Sequence, residues 1–163
     1  MTTIRALAVT VSNRAAAGVY ADRSGPVLVS LLEAAGCDEV DGPIVVPDGE
    51  PVAVALSEAI ANGYDVVVTT GGTGLTPTDR TPEMTRPLLD FEIPGIAEAI
   101  RAAGAGAVPA AMLSRGLAGV AGQTLLVNLP GSTGGVRDGM AILTRVLAHA
   151  VDQIRGGDHP QAG

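Results

Sequence analysis

Two aspartates, Asp48 and Asp79, are the residues of this chain best suited to chemistry, because each lies in a turn next to exposed backbone. Asp79 follows Thr69-Thr70-Gly71-Gly72-Thr73-Gly74, and Asp48 closes Val46-Pro47-Asp48-Gly49. Glycine admits positive φ and close approach to the main chain, and the N–H groups of such a loop form a concavity suited to anions. A carboxylate pair beside a phosphate-binding backbone suits a hard cation such as Mg²⁺, which takes carboxylate, water and phosphate oxygens together. A cation held there would neutralise charge on a transferring phosphoryl group. The same residues also suit an ordinary strand, glycine turn and helix with Asp79 as a solvated turn residue, so the loop alone does not decide. It is neither a Walker loop, since no Gly-Lys-Ser/Thr follows, nor a GxGxxG dinucleotide turn.

Other chemistries find little support. His149 falls inside a helical stretch and His159 in the tail, which leaves no histidine triad or zinc site. Cys37 is the single cysteine, so no internal disulfide can form, and nothing around it supplies a base. It reads as a small core residue of a protein in a reducing compartment. Ser114 and Arg115 offer a hydroxyl and a guanidinium that could clamp a phosphate, although a plain surface arginine is the commoner case.

The elements that must position these groups follow from apolar periodicity. Strands are predicted over Ile4 to Val11, Gly42 to Val46, Val66 to Val68 and Thr124 to Leu129. Helices are predicted from Ser24 to Gly36, from Pro51 to Asn62-Gly63, from Thr81 until Pro87 interrupts, and from Pro94 to Gly104. In the third of these Thr81 is expected as the cap and Pro82 as the first helical residue. Met112 to Val120 is open between strand and loop. The last and longest helix is expected over Val136 to Ile154, with Val136, Met140, Leu143, Leu147 and Ile154 as its stripe. Alternating strand and helix signals point to a three-layer α/β/α domain with a mainly parallel central sheet. Ligands of such sheets bind beyond the carboxyl ends of the strands, where the turns holding Asp48, Thr69 to Gly74, and Asn128 to Ser132 should gather.

Composition bounds the rest. At 163 residues and 47% hydrophobic, with two Tyr, one Phe and no Trp, the chain reads as one domain with an aliphatic core. A formal charge of −7 and the lack of a basic cluster argue against a nucleic-acid partner. The amino terminus has no cleavable hydrophobic segment, and the uncharged stretch from Gly116 to Val136 is broken too often by glycine and proline for a membrane span. A cytoplasmic protein is expected.

Five ordered motifs then carry a resemblance. Thr69 to Gly74, Asp79 with Thr81-Pro82-Glu83, Val46-Pro47-Asp48, Met112-Leu113-Ser114-Arg115 and Asn128-Leu129-Pro130-Gly131-Ser132 together resemble the molybdopterin adenylyltransferase family, which includes bacterial Mog proteins and the G domains of gephyrin and the plant molybdenum-insertion protein. The likeness runs from the first strand to the end of the last helix and implies one molybdopterin-binding domain over residues 1–156, with a frayed tail over 157–163. It implies transfer of AMP from ATP to molybdopterin, with pyrophosphate release, before molybdate insertion. By that resemblance Asp48 and Asp79 are the catalytic pair that handles Mg²⁺ and the triphosphate. Thr70, Gly71, Gly72, Thr73 and Gly74 hold pterin phosphate or nucleotide. Ser114 contacts the pterin, Arg115 adds charge, and Asn128, Pro130, Gly131 and Ser132 line the opposite wall. A homotrimer or hexamer is implied, with the molybdate-insertion protein as a partner.

The chain also departs from the family. Many relatives carry a basic residue where it has Thr78, and basic residues near the second loop where it has Gln123, Thr133 and Gly134; Asn13 stands where aspartate is frequent. Mg²⁺, Arg14 or Arg115 would then have to compensate. A non-catalytic MoaB-like pterin-binding paralogue or scaffold, and an unrelated nucleotide-binding module, are the alternative readings.

Overall fold

The computed structural model describes residues 3–157. The strands are β1 (Arg5–Val11), β2 (Glu39–Val46), β3 (Val66–Thr70), β4 (Phe91–Glu92), β5 (Ala118–Ala121) and β6 (Thr124–Leu129). The helices are α1 (Asn13–Ala16), α2 (Ser24–Ala34), α3 (Glu50–Ala61), α4 (Thr81–Thr85), α5 (Pro94–Ala107), α6 (Thr133–Leu143) and α7 (Leu147–Ile154). The strands form one sheet in the order β2-β1-β3-β6-β5-β4. The first four of these run parallel, while β5 is antiparallel to both of its neighbours. The expected three-layer, mainly parallel architecture is what the chain adopts.

Alternation along each central strand produces the layers, because successive side chains point to opposite faces. Ala6, Ala8, Val66, Val68, Leu125 and Val127 pack with Leu28, Leu32, Met140 and Leu147 of α2, α6 and α7 on one face. Leu7, Val9, Val67 and Leu126 pack with Val52 and Leu56 of α3 on the other. Leu28, Leu32 and Leu56 are each fully buried, and such a side chain contributes about 1.5–3 kcal/mol. Small Ala and Val on the strands let helices settle close to the sheet, which suits a core almost without aromatics.

Several boundaries differ from the sequence expectation. The final helix is two: α6 ends at Leu143 and α7 begins at Leu147, joined by i→i+3 bonds from Arg145 and Val146 to Ile142 and Leu143. Val136, Met140, Leu143 and Leu147 still face one core, since the four-residue step from Leu143 to Leu147 keeps the stripe in line across the break. The longest helix is therefore α5, with 14 residues. Thr81 does not cap α4: Arg80 occupies that position with no side-chain bond, and the Thr81 hydroxyl turns to Asp48 instead. As expected, α4 stops before Pro87, giving way to a 3₁₀ turn over Arg86–Leu88. The open stretch resolves as a 3₁₀ turn, Pro109–Leu113, followed by β5. The four-residue α1 and the two-residue β4 are too short to leave a periodic signal. Cys37 is buried, as read. His149 lies on the exposed side of α7, while His159 and nearly all of the tail lie outside the described residues.

Candidate functional site

Parallel register brings the ends of β1, β2, β3 and β6 to one rim, and a cavity of about 820 Å³ opens there. Asp48 and Asp79 both line it, with Thr70, Gly71, Gly72, Gly131 and Ser132. A second cavity of about 500 Å³ adjoins it, lined by Thr73, Gly74, Ser114 and Pro130, and the two share Gly72, Asp79, Gly131 and Ser132. Turns far apart in sequence thus converge as the order of strands required.

Asp48 is held from several sides. Its Oδ1 accepts from the Gly49 amide at 2.7 Å and the Thr81 hydroxyl at 3.3 Å, and its Oδ2 accepts from the Arg80 amide at 3.0 Å. Its own amide donates to Asn13 Oδ1 at 2.9 Å, so the turn after β1 fixes the turn after β2. Asparagine serves this contact as an aspartate would, because only an acceptor oxygen is needed. Asp79 Oδ2 accepts from the Thr76 hydroxyl at 2.7 Å and the Thr76 amide at 3.2 Å. No donor within the described residues meets its Oδ1.

The glycine loop is packed against these groups. Gly72 sits at φ +70, and a β-carbon on it would overlap the Thr81 hydroxyl and lie 2.5 Å from Asp48 Oδ2. Gly71, at φ +100, leaves no room between itself and the Val11 carbonyl. Thr70 donates its hydroxyl to the Pro130 carbonyl at 2.7 Å, tying the first loop to the second. Ser132 caps α6 by accepting from the Gly135 amide at 3.0 Å, so the positive end of an 11-residue helix faces the cavities. Ser114 donates to the Thr73 hydroxyl at 3.2 Å on the second cavity's wall.

Two sequence candidates stand elsewhere. Asn128 lines neither cavity: 4% exposed, it accepts from the Leu117 amide and donates to the hydroxyls of Thr69 and Thr85. As the partner of Thr69 in the β3–β6 register, it points into the layer beneath the loops. Arg115 also lines neither cavity, and its guanidinium is engaged by Glu83 and by the carbonyls of Gly74 and Asp79. That hydrogen-bonded ion pair raises the Arg115 pKa and holds the Glu83 carboxyl below its ordinary range.

Residues that sequence reasoning did not single out come mostly from the long connection after β1. Asp22 accepts from the Thr10 hydroxyl at 2.7 Å and from the Gly25 amide at 3.0 Å, closing that connection onto the carboxyl end of β1 at the start of α2. A carboxylate three residues before a helical N–H was the available signal. Arg23, together with Arg14, which the sequence did offer as a compensating cation, lines the larger cavity, and neither guanidinium pairs with a carboxylate among the described residues. The chain has no lysine, so arginine supplies all of its side-chain cations at neutral pH.

The donor set fits a magnesium ion. Such an ion needs only one or two protein carboxylates, and Asp48 and Asp79 line the same cavity. No group of three or more His, Cys, Asp or Glu side chains forms a metal cage among the described residues. A site completed by substrate phosphates matches that sparse arrangement.

Known proteins share this fold. Residues 7–149 match the family described as "Probable molybdopterin binding domain". The molybdopterin adenylyltransferase of Pyrococcus furiosus is 40% identical over 152 residues, which cover 90% of this chain and 89% of the relative. The molybdenum cofactor biosynthesis bifunctional protein of Synechococcus elongatus is 36% identical over 94% of this chain, which spans 48% of that longer protein. The solved structure of the molybdopterin biosynthesis Mog protein of Mycobacterium ulcerans superposes with a TM-score of 0.90 at 50% identity, covering 96% of this chain and 99% of that one. With the glycine loop and both Asp48 and Asp79 inside the matched span of residues 7–149, this chain belongs to the molybdopterin-binding domain family.

Proposed function

We propose that this protein transfers AMP from ATP to the terminal phosphate of molybdopterin, releasing pyrophosphate. The observation that carries the reading is that Asp48 and Asp79 line one cavity floored by the Gly71–Gly72 backbone and faced by the α6 amino terminus. In the reaction a terminal phosphate oxygen of the pterin attacks the α-phosphorus of ATP. The bond from that phosphorus to the bridging oxygen breaks, its electron pair leaves with pyrophosphate, and a new phosphoanhydride joins pterin and AMP.

The chain's own residues supply binding and alignment. The Gly71 amide is spent on the Leu129 carbonyl at 3.0 Å and the Gly135 amide on Ser132, and the other N–H groups of the glycine loop and of the first turn of α6 offer donors to phosphate oxygens. Arg14 and Arg23 supply positive charge on the wall from which pyrophosphate would depart. Asp48 and Asp79 would hold Mg²⁺, which neutralises the charge that accumulates on the phosphates during transfer. The second cavity, with Ser114 on its wall, suits the pterin, because the two spaces meet at Gly72 and Asp79.

Incubating the purified protein with molybdopterin, ATP and Mg²⁺ should yield adenylylated pterin and pyrophosphate. In Asp79→Ala turnover should collapse while pterin binding survives. Tight pterin binding without adenylylated product at saturating ATP and Mg²⁺ would instead identify a binding protein or scaffold. A homotrimer or hexamer in the cytoplasm, handing its product to the molybdate-insertion protein, completes the proposal; light scattering tests the assembly. No helix among the described residues is long and apolar enough to cross a membrane.

A further inference from the structure

The geometry points to Arg115 as a positioning residue that holds the Asp79 loop against the body of the protein, acting through that loop and not on substrate phosphate. The inference rests on the proposed role of Asp79. The segment from Gly74 to Asp79 leaves the rim after β3 and returns at α4, and its middle residues, 75–78, are exposed. Its internal bonds, from the Thr76 amide and hydroxyl to Asp79 Oδ2 and from the Asp79 amide to the Thr76 carbonyl, fix the carboxylate within the loop. They do not fix the loop to the domain.

Arg115 does so at both ends. Its Nε donates to the Gly74 carbonyl at 2.9 Å, and its Nη2 to the Asp79 carbonyl at 2.8 Å. Its Nη1 reaches both Glu83 oxygens, at 3.0 and 2.7 Å, and its own amide donates to the Thr73 carbonyl at 2.8 Å. One planar fork therefore spans the two feet of the loop while anchored to α4. A lysine cannot reproduce this, because an ammonium is a point charge on a flexible stem. The ion pair is partly exposed, at 36% for Arg115 and 42% for Glu83, so it adds little to global stability. Its effect falls on the placement of Asp79, where a misplacement of about 1 Å can cost roughly a hundredfold in rate.

The test compares wild type with Arg115→Met and Arg115→Lys by amide hydrogen exchange over residues 72–80, steady-state adenylyl transfer and melting temperature. Both variants should melt within about 4 °C of wild type. Both should exchange at least about tenfold faster in the loop and lose roughly a hundredfold in kcat, with KM for ATP changed by less than about threefold. Unchanged loop exchange with a raised KM would make Arg115 a phosphate clamp and overturn the inference. Recovery of kcat and loop protection in Arg115→Lys would also overturn it, since charge alone would then suffice. If wild type turns over no pterin, the proposed function fails, and loop exchange in the variants still decides whether Arg115 holds the loop.

Discussion

Replacing Gly72 by alanine tests how closely the glycine loop is fitted to the acidic pair. At φ +70 a residue with a β-carbon costs about 1–2 kcal/mol in backbone strain. The methyl group would also overlap the Thr81 hydroxyl, lie 3.0 Å from Thr81 Cβ and approach Asp48 Oδ2 to 2.5 Å, and such overpacking costs about 1–3 kcal/mol. The two together predict a loss of roughly 2–5 kcal/mol, or about 4–20 °C in melting temperature for a chain of this length. Most domains retain a folded majority after a loss of that order, so activity remains measurable. Asp48 must move, and its bond from the Arg80 amide is the first to break, so adenylyl transfer should fall by roughly a hundredfold. Gly106→Ala is the matched control: it lies in α5 with nothing within 4 Å, and should stabilise by up to about 1 kcal/mol. Calorimetry and a pyrophosphate-release assay read both effects. A Gly72→Ala protein that melts within a degree or so of wild type and turns over normally would refute the close approach on which the site description depends.

Asn128→Ala should lower stability by about 2–4 kcal/mol in urea titration, because it strips partners from the Leu117 amide and two buried threonine hydroxyls. Cys37 should resist alkylation at pH 8 in the folded protein and react on unfolding; burial, with Asp38 and Asp65 nearby, pushes its pKa up to about 11. Glu83 should titrate below its ordinary range in carboxyl NMR, because Arg115 bonds to it, and Arg115→Met should raise it. Since its folded pKa is depressed, the contribution of this ion pair is complete above the unfolded value and is lost as pH falls through the folded one. Loop exchange should therefore be insensitive to this group from pH 5 to 8, about where carboxylates stay ionised.

The parts of the fold that were legible in the sequence are those where one residue type repeats for a single physical reason. Val66 to Val68 and Leu125 to Val127 are buried on both faces and read as continuous apolar runs, which is how strands covered on both faces announce themselves. The convergence of Asp48 with Asp79 followed from strand order alone. What stayed hidden depends on neighbours distant in sequence. The stripe from Val136 to Leu147 concealed a break because both helices pack on one core. Asn128 looked like a loop residue beside Pro130 and Gly131, yet its register partner Thr69 draws it beneath the rim. Arg115 looked like a free cation, and only the fold brings Glu83 within its reach.

The two cavities share Gly72, Asp79, Gly131 and Ser132 in their linings. Because these residues belong to both linings, a change at any of them alters both chambers at once. The shared lining also sets a design rule for inhibitors. Two fragments, one in each chamber, could be joined past Gly72 and Gly131, and a linker matched to the span should gain most from being made into a single molecule.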